Sequence, residues 1–155
     1  MQKLVAFAAS LLLLFSSLGY AEDTSFGDCK LADAKGKQAD ATLVFSDSTN
    51  SVVVRVAGHD LASIPYTNLD KVSYEYTKKH RITTGAIVMI FSLGTGAIVM
   101  LTKSKSNWLY IDYHDPDGKK TIVLKLEKRD LTKIFDATKT HTGKEVIDLG
   151  NAGKG

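Results

Sequence analysis

The sequence predicts a mainly β domain of the α+β class, a small barrel of about six to seven antiparallel strands with a C-terminal helix, interrupted by an apolar membrane-type segment. Three observations lead to this fold class. Short runs of β-branched and aromatic residues alternate with turn residues, and helical spacing of apolar residues is confined to one stretch near the C-terminus. The 21 residues Ile82–Thr102 carry no charge.

Residues 1–21 are typical of a secretory signal peptide. Lys3 gives a positive start, Leu4–Phe15 is the apolar core, and Gly19 and Ala21 are the small residues that a signal peptidase reads. We therefore predict cleavage after Ala21 and export to the periplasm or the cell envelope. An uncleaved N-terminal anchor is the alternative, which the short apolar core disfavours.

Residues 22–40 are predicted to be a flexible leader, because they are polar and show no apolar period. They contain Cys29, the only cysteine of the chain, which excludes an intramolecular disulfide. Cys29 is then either a free thiol or one half of a bridge between two chains.

Four predicted strands precede the apolar segment. Ala41–Phe45 and Val52–Val56 form a hairpin around a polar turn, because both runs are rich in β-branched or aromatic residues. Leu61–Pro65 is a third, short strand, and Pro65 belongs at a strand end or at an edge of the sheet because it has no N–H for a ladder. Leu69–Thr77 alternates apolar and polar side chains and is predicted to be long and half-buried.

A second hairpin and a helix follow the apolar segment. Trp108–Tyr113 and Thr121–Leu126 are strands joined by Asp115–Gly118, in which Pro and Gly suit a tight turn. Asp130 is the predicted N-cap of an amphipathic helix of about three turns. Residues 141–155 are predicted to be a flexible C-terminal tail.

Four segments within residues 41–140 resemble segments of a known protein family. They are Ile64–Leu69, Val72–Tyr76, Trp108–Tyr113 and Leu124–Lys128. In this order they resemble the bacterial pleckstrin-homology-like (GRAM-like) barrels, in which a C-terminal helix closes one end of two roughly orthogonal sheets. The resemblance implies a binding protein for lipid headgroups, peptides or proteins. Headgroup-binding members use basic residues in the early loops, whereas the loop around Asp47 has none, which argues against phosphoinositide recognition.

The apolar segment, residues 82–102, has three interpretations. It is long enough for a transmembrane helix, which makes the chain a single-pass membrane protein with small flanking domains. It can instead fold back as a hairpin that inserts from one domain into one membrane surface. In the third interpretation it is buried core and supplies a strand at Ile87–Val88 or Ile98–Val99. Gly85 and Gly96, 11 residues apart, suit a self-association face in the helical interpretation.

The predicted contact residues follow from this segment and its basic flanks. The membrane-contact residues are Ile87, Val88, Ile90, Phe91, Leu93, Ile98, Val99, Leu101 and Trp108. The residues predicted to meet lipid headgroups are Lys78, Lys79, Arg81, Lys103 and Lys105.

The sequence offers no catalytic residue, metal site or cofactor site. The four histidines lack metal-ligand spacing, and no serine has a nucleophile motif around it. A net charge of +3 without a basic aromatic stripe argues against nucleic-acid binding. We therefore expect a non-enzymatic, exported, membrane-associated binding or scaffold module, with the lipid bilayer and either a partner protein or a second copy as partners. A fully soluble secreted domain and an enzyme are the alternatives.

Overall fold

The structure is a computed structural model that describes residues 22–32, 38–80, 87–88 and 100–150, with the backbone alone at 79–80, 87–88 and 100–104. The strands are β1 (Thr24–Ala32), β2 (Gln38–Ser46), β3 (Ser51–Val56), β4 (His59–Pro65), β5 (Leu69–His80), β6 (Ile87–Val88), β7 (Met100–Asp115), β8 (Gly118–Leu126) and β9 (Val146–Asp148). The helix α1 spans Leu131–Thr142, and short 3-10 turns occupy Tyr66–Asn68 and Lys128–Asp130.

Within the described residues the nine strands form one mixed sheet. Its order is β4-β3-β2-β1-β8-β7-β5-β9, and β6 pairs with β8. The pairings β5 with β9 and β6 with β8 are parallel, and the others are antiparallel. One mixed sheet thus replaces the antiparallel barrel of six to seven strands that the sequence predicts.

Strand β1 connects the two halves of this sheet. It pairs with β2 along most of its length, and its Cys29–Leu31 segment also pairs with Leu124–Leu126 of β8. A bulge between Phe26 and Cys29 separates its two registers with β2. The predicted flexible leader at 22–40 is therefore wrong for most of its length. One of its two partners, β8, is far away in the sequence, and β1 itself shows no simple alternation.

The predicted hairpins are confirmed. Phe45 lies opposite Val52 in the β2–β3 pair, and Tyr110 lies opposite Val123 in the β7–β8 pair. Gly118, after the Pro116–Asp117 turn, has a φ of 124°, a conformation that glycine adopts without a steric penalty. Strand β4 ends with its proline at the edge of the sheet, as predicted.

The main core lies on one face of the sheet, and α1 packs against it. Ile134 is fully buried there, and Phe135 makes an edge contact with Tyr74 at 5.2 Å between ring centroids. The helix begins after Asp130 and ends at Gly143, whose φ of 72° is the left-handed C-cap conformation. The flexible tail predicted for 141–155 is therefore wrong at its start, because α1 extends to Thr142 and β9 follows.

The prediction of a transmembrane helix is also wrong. The described part of the chain contains no helix with the length and apolar character that crossing a membrane requires. Ile87–Val88 and Met100–Thr102 lie in strands, so the run cannot be one continuous helix. Among the three interpretations, a strand at Ile87–Val88 is the one that the structure supports for those two residues. Residues 81–86 and 89–99, with Gly85 and Gly96, lie outside the described residues.

The burial of β1 gives a direct test of its structural role. Leu31 is fully buried between β2 and β8, so Leu31→Ala is expected to lower the free energy of unfolding by about 2–5 kcal/mol. Urea unfolding followed by circular dichroism measures the change. The control Lys30→Ala removes an exposed ion pair with Asp40 and should change the value by less than about 1 kcal/mol. Equal, small effects of both variants would mean that β1 is not part of the folded core.

Candidate functional site

The predicted membrane-contact residues fall into two groups. Ile87 and Val88 form β6, opposite Lys120 and Thr121 of β8, and Leu101 lies in β7 opposite Lys79. The remaining residues of the run lie outside the described residues, namely Ile90, Phe91, Leu93, Ile98 and Val99. The structure thus places the backbone of Ile87, Val88 and Leu101 in strands.

Trp108 is not a surface residue, which corrects its assignment as a membrane contact. It is 0% exposed, and its indole Nε1 donates a hydrogen bond to the Thr77 carbonyl at 3.1 Å. Together with Ala32, Tyr110 and Val123 it forms a second buried cluster. These side chains alternate with those of the main core, so both faces of this part of the sheet are buried.

An arm extends from the sheet where β5 and β7 continue beyond their neighbours. Strand β9 pairs with β5 up to Tyr74, and β8 pairs with β7 from Asn107 onward. Residues 75–80 of β5 continue to pair with β7, and the last pair is His80 with Met100. The two ends of the apolar segment are therefore side by side at the end of the arm.

Three lysines lie at an irregularity in the pairing of the two strands of the arm. Thr77 pairs with Ser106 and Lys79 pairs with Leu101, so Lys78 alone lies opposite residues 102–105. This geometry places Lys78, Lys103 and Lys105 at the same level, and we call these three residues the lysine bulge. Of the other two predicted headgroup contacts, Lys79 is the residue after Lys78 in β5, and Arg81 lies outside the described residues.

An exposed aromatic side chain accompanies the lysine bulge. Tyr76 is 56% exposed, the largest value among the exposed large hydrophobic residues of the described chain. The Nζ atom of Lys105 lies 5.7 Å from the centroid of its ring, which is within cation–π range. The sequence predicts Tyr76 on a half-buried face. It lies two residues beyond Tyr74, the residue of β5 whose ring contacts Phe135 of the helix.

A second polar constellation, which sequence reasoning missed, lies around His141 at the end of α1. Its Nδ1 is 2.8 Å from Asp47 Oδ1, and its Nε2 is 3.1 Å from Thr24 Oγ1. The imidazole stacks on Phe45, with 5.6 Å between centroids and 15° between planes. The Tyr66 hydroxyl donates to the same Asp47 oxygen at 3.2 Å. We call these five residues the His141 cluster.

The partners of His141 fix its hydrogen-bonding roles. A carboxylate only accepts hydrogen bonds, so Nδ1 carries the proton that faces Asp47. In the neutral imidazole Nε2 is then an acceptor, and the Thr24 hydroxyl donates to it. Burial and the neighbouring Asp47 raise the pKa of Tyr66, so its hydroxyl stays protonated and keeps donating to Asp47.

No sequence signal marks this cluster. Asp47 and Thr24 are 94 and 117 residues away from His141, and each belongs to a different element. Only the fold brings the start of β1, the β2–β3 turn and the end of α1 together. The described residues hold no group of three or more His, Cys, Asp and Glu that is arranged to bind a metal ion.

No protein-family model matches this chain, and no curated protein matches it. The function therefore has to be argued from the geometry of the arm and of the His141 cluster.

Cys29 is a buried, free thiol in β1. It is 3% exposed, and its Sγ donates to the Phe26 carbonyl at 3.6 Å. A sulfur at this depth reaches a second chain only if β1 opens, so the structure favours the free thiol over the interchain bridge. Burial, and to a smaller extent Asp130 and Asp28, raise the pKa of the Cys29 thiol to about 11.

This pKa shift predicts low thiol reactivity and a loss of stability in alkali. In the folded chain Cys29 should react with a disulfide reagent at pH 8 far more slowly than in urea. Little of the folded thiol is ionised at this pH, and the reagent does not reach the buried sulfur. The pKa rises from its ordinary 9.0 to about 11, so the stabilising effect of the neutral thiol is complete below pH 9 and is lost between pH 9 and 11. Unfolding curves of the wild type and Cys29→Ala across this range isolate the effect from that of the tyrosines. Rapid labelling of the folded wild type at pH 8 would contradict the buried position.

Proposed function

We propose that the protein is an exported, membrane-associated binding module that contacts an anionic lipid surface with the end of its arm. The observation that carries this proposal is the pairing of β5 and β7, which resumes after the irregularity at Lys78 and extends as far as His80 and Met100. Because His80 and Met100 are paired, the two ends of the apolar segment lie side by side, and the segment can meet a bilayer from one side without dividing the domain. The predicted signal peptide supports export.

The side chains at the arm suit the interface between lipid and water. An aromatic ring with a hydroxyl, such as Tyr76, is favourable at the level of the headgroups. The lysine bulge lies beside it, and Lys78 and Lys105 are exposed. Each lysine near an anionic surface adds about 1 kcal/mol of attraction at physiological ionic strength. The positive charge therefore lies where the apolar segment begins and ends.

The pairing of β6 with β8 does not oppose this function. Only Ile87 and Val88 take part in it. Each backbone hydrogen bond adds about 0.5–1.5 kcal/mol, whereas burial of one large aliphatic side chain in an apolar medium adds about 1.5–3 kcal/mol. The apolar run from 82 to 102 contains many such side chains. We propose that insertion of this run replaces the two-residue pairing once a bilayer is present.

Replacement of the apolar segment tests the proposal. Residues 81–99 of the mature chain 22–155 are replaced with Asn-Gly, because a two-residue turn joins strand ends that lie directly opposite, as His80 and Met100 do. The variant is expected to keep its circular dichroism spectrum and its cooperative unfolding, and to lose flotation with lipid vesicles. A folded variant that floats with the vesicles as well as the wild type would overturn the proposal.

The contribution of the lysine bulge is tested by charge removal. The triple variant Lys78→Gln, Lys103→Gln, Lys105→Gln should bind vesicles of phosphatidylcholine and phosphatidylglycerol about 100-fold more weakly, since each lysine adds about fivefold. The matched control is Lys119→Gln, Lys128→Gln, Lys133→Gln, which removes the same charge from exposed positions elsewhere. Vesicle titration followed by flotation gives the partition constants. Equal losses in the two triple variants would show that net charge, and not the arm, determines binding.

A further inference from the structure

We propose that Thr24 is a nucleophile activated by His141 and Asp47, so that the protein also transfers acyl groups from small esters, an activity separate from membrane binding. The three side chains form one hydrogen-bonded line from carboxylate to imidazole to hydroxyl. A nucleophile within reach of a base, which a third group orients, is the arrangement that nucleophilic catalysis requires. Such a triad is recognised by geometry and roles, and the order of its residues in the chain is free.

The distances assign each role. The separation of 2.8 Å between Asp47 Oδ1 and His141 Nδ1 holds the tautomer in which Nε2 has a free electron pair. The separation of 3.1 Å between Nε2 and Thr24 Oγ1 allows that electron pair to take the hydroxyl proton. Thr24 and His141 are the catalytic residues, since they touch the reacting atoms, and Asp47 is a positioning residue.

The surroundings restrict the imidazole. The His141 side chain is 10% exposed, stacks on Phe45, and receives support from a carboxylate that Tyr66 also contacts. Because Phe45 contacts one face of the ring and Asp47 binds Nδ1, Nε2 stays directed at Thr24. This preorganisation removes an entropic cost from the reaction, because the groups do not have to be ordered at the moment of proton transfer.

Thr24 is accessible from outside. It is the first residue of β1 and is partly exposed, while Asp47 lies in the β2–β3 turn with 31% of its side chain exposed. Phe45, the sheet partner of Thr24, is only 2% exposed and holds the His141 ring, so it does not line a surface for substrate. A small ester therefore meets the hydroxyl from the partly exposed side of Thr24.

The reaction balances with water as the co-reactant. Thr24 Oγ bonds to the carbonyl carbon, and its proton moves to His141 Nε2. The bond between that carbon and the ester oxygen then breaks, and Nε2 returns the proton to the leaving alkoxide. Water hydrolyses the acyl-threonine in the same way, so the products are an acid, an alcohol and free Thr24. General-base assistance of this kind accelerates a reaction by about 10²–10⁴-fold.

A fluorophosphonate probe tests the assignment on the mature chain. Formation of a P–O bond at Thr24 releases fluoride, and peptide mass spectrometry locates the adduct. We expect one adduct, at Thr24, in the wild type and in Thr24→Ser. We expect none in Thr24→Ala, and a rate at least about 100-fold lower in His141→Ala. Thr132→Ala, which alters an exposed threonine of α1, should label like the wild type.

A second measurement separates catalysis from a purely structural role of the cluster. Asp47→Asn keeps a hydrogen-bonding side chain of the same size, but its amide can bind the other tautomer of His141, in which Nε2 is protonated. Labelling should then fall by about 100-fold while the protein stays folded by circular dichroism, and Asp47→Glu, which keeps a carboxylate, should recover part of the lost rate. An unlabelled folded wild type, an adduct at another residue, or equal labelling of Asp47→Asn would each overturn the proposal.

Discussion

The pairing of β1 with both β2 and β8 is the interaction on which the rest of the structure depends. Strands β2–β4 form one ladder and β5, β7 and β8 form another, and within the described residues Cys29–Leu31 joins them. The joint places the buried leucines Leu31 and Leu43 in one core with Ile134 of the helix. Because its polar positions alternate irregularly around a bulge, β1 gives little local signal.

The same joint determines where the two functional regions lie. The pairing of β1 brings its first residues close to the β2–β3 turn and to the end of α1. The His141 cluster forms there, around Asp47 and Thr24. The arm arises in the other ladder, where β5 and β7 are longer than β8 and β9. The proposed lipid contact and the proposed nucleophile therefore belong to different parts of the sheet and can be altered separately.

The candidate membrane site was predictable in its composition and not in its geometry. The apolar run and its lysines are visible in the sequence, but hydropathy does not distinguish a spanning helix from a segment whose ends are paired. The register of His80 with Met100 makes that distinction. Trp108 shows the opposite error: an amphipathic residue beside an apolar run suits an interface, yet packing on the second face of the sheet buries it completely.

The sequence by itself determined the local elements: the two hairpins, the edge strand ending at Pro65, and a helix between Asp130 and Gly143. Periodicity and turn chemistry depend on residues a few positions apart, so they can be recognised in the sequence without the tertiary structure. Tertiary structure alone decided that β1 is a strand, that Tyr76 is exposed while Trp108 is buried, and that His141 meets Asp47 and Thr24. The pairing of β1 with β8, the bond from Trp108 to Thr77 and the contacts of His141 all join residues more than 30 positions apart, which a pattern within one segment does not encode.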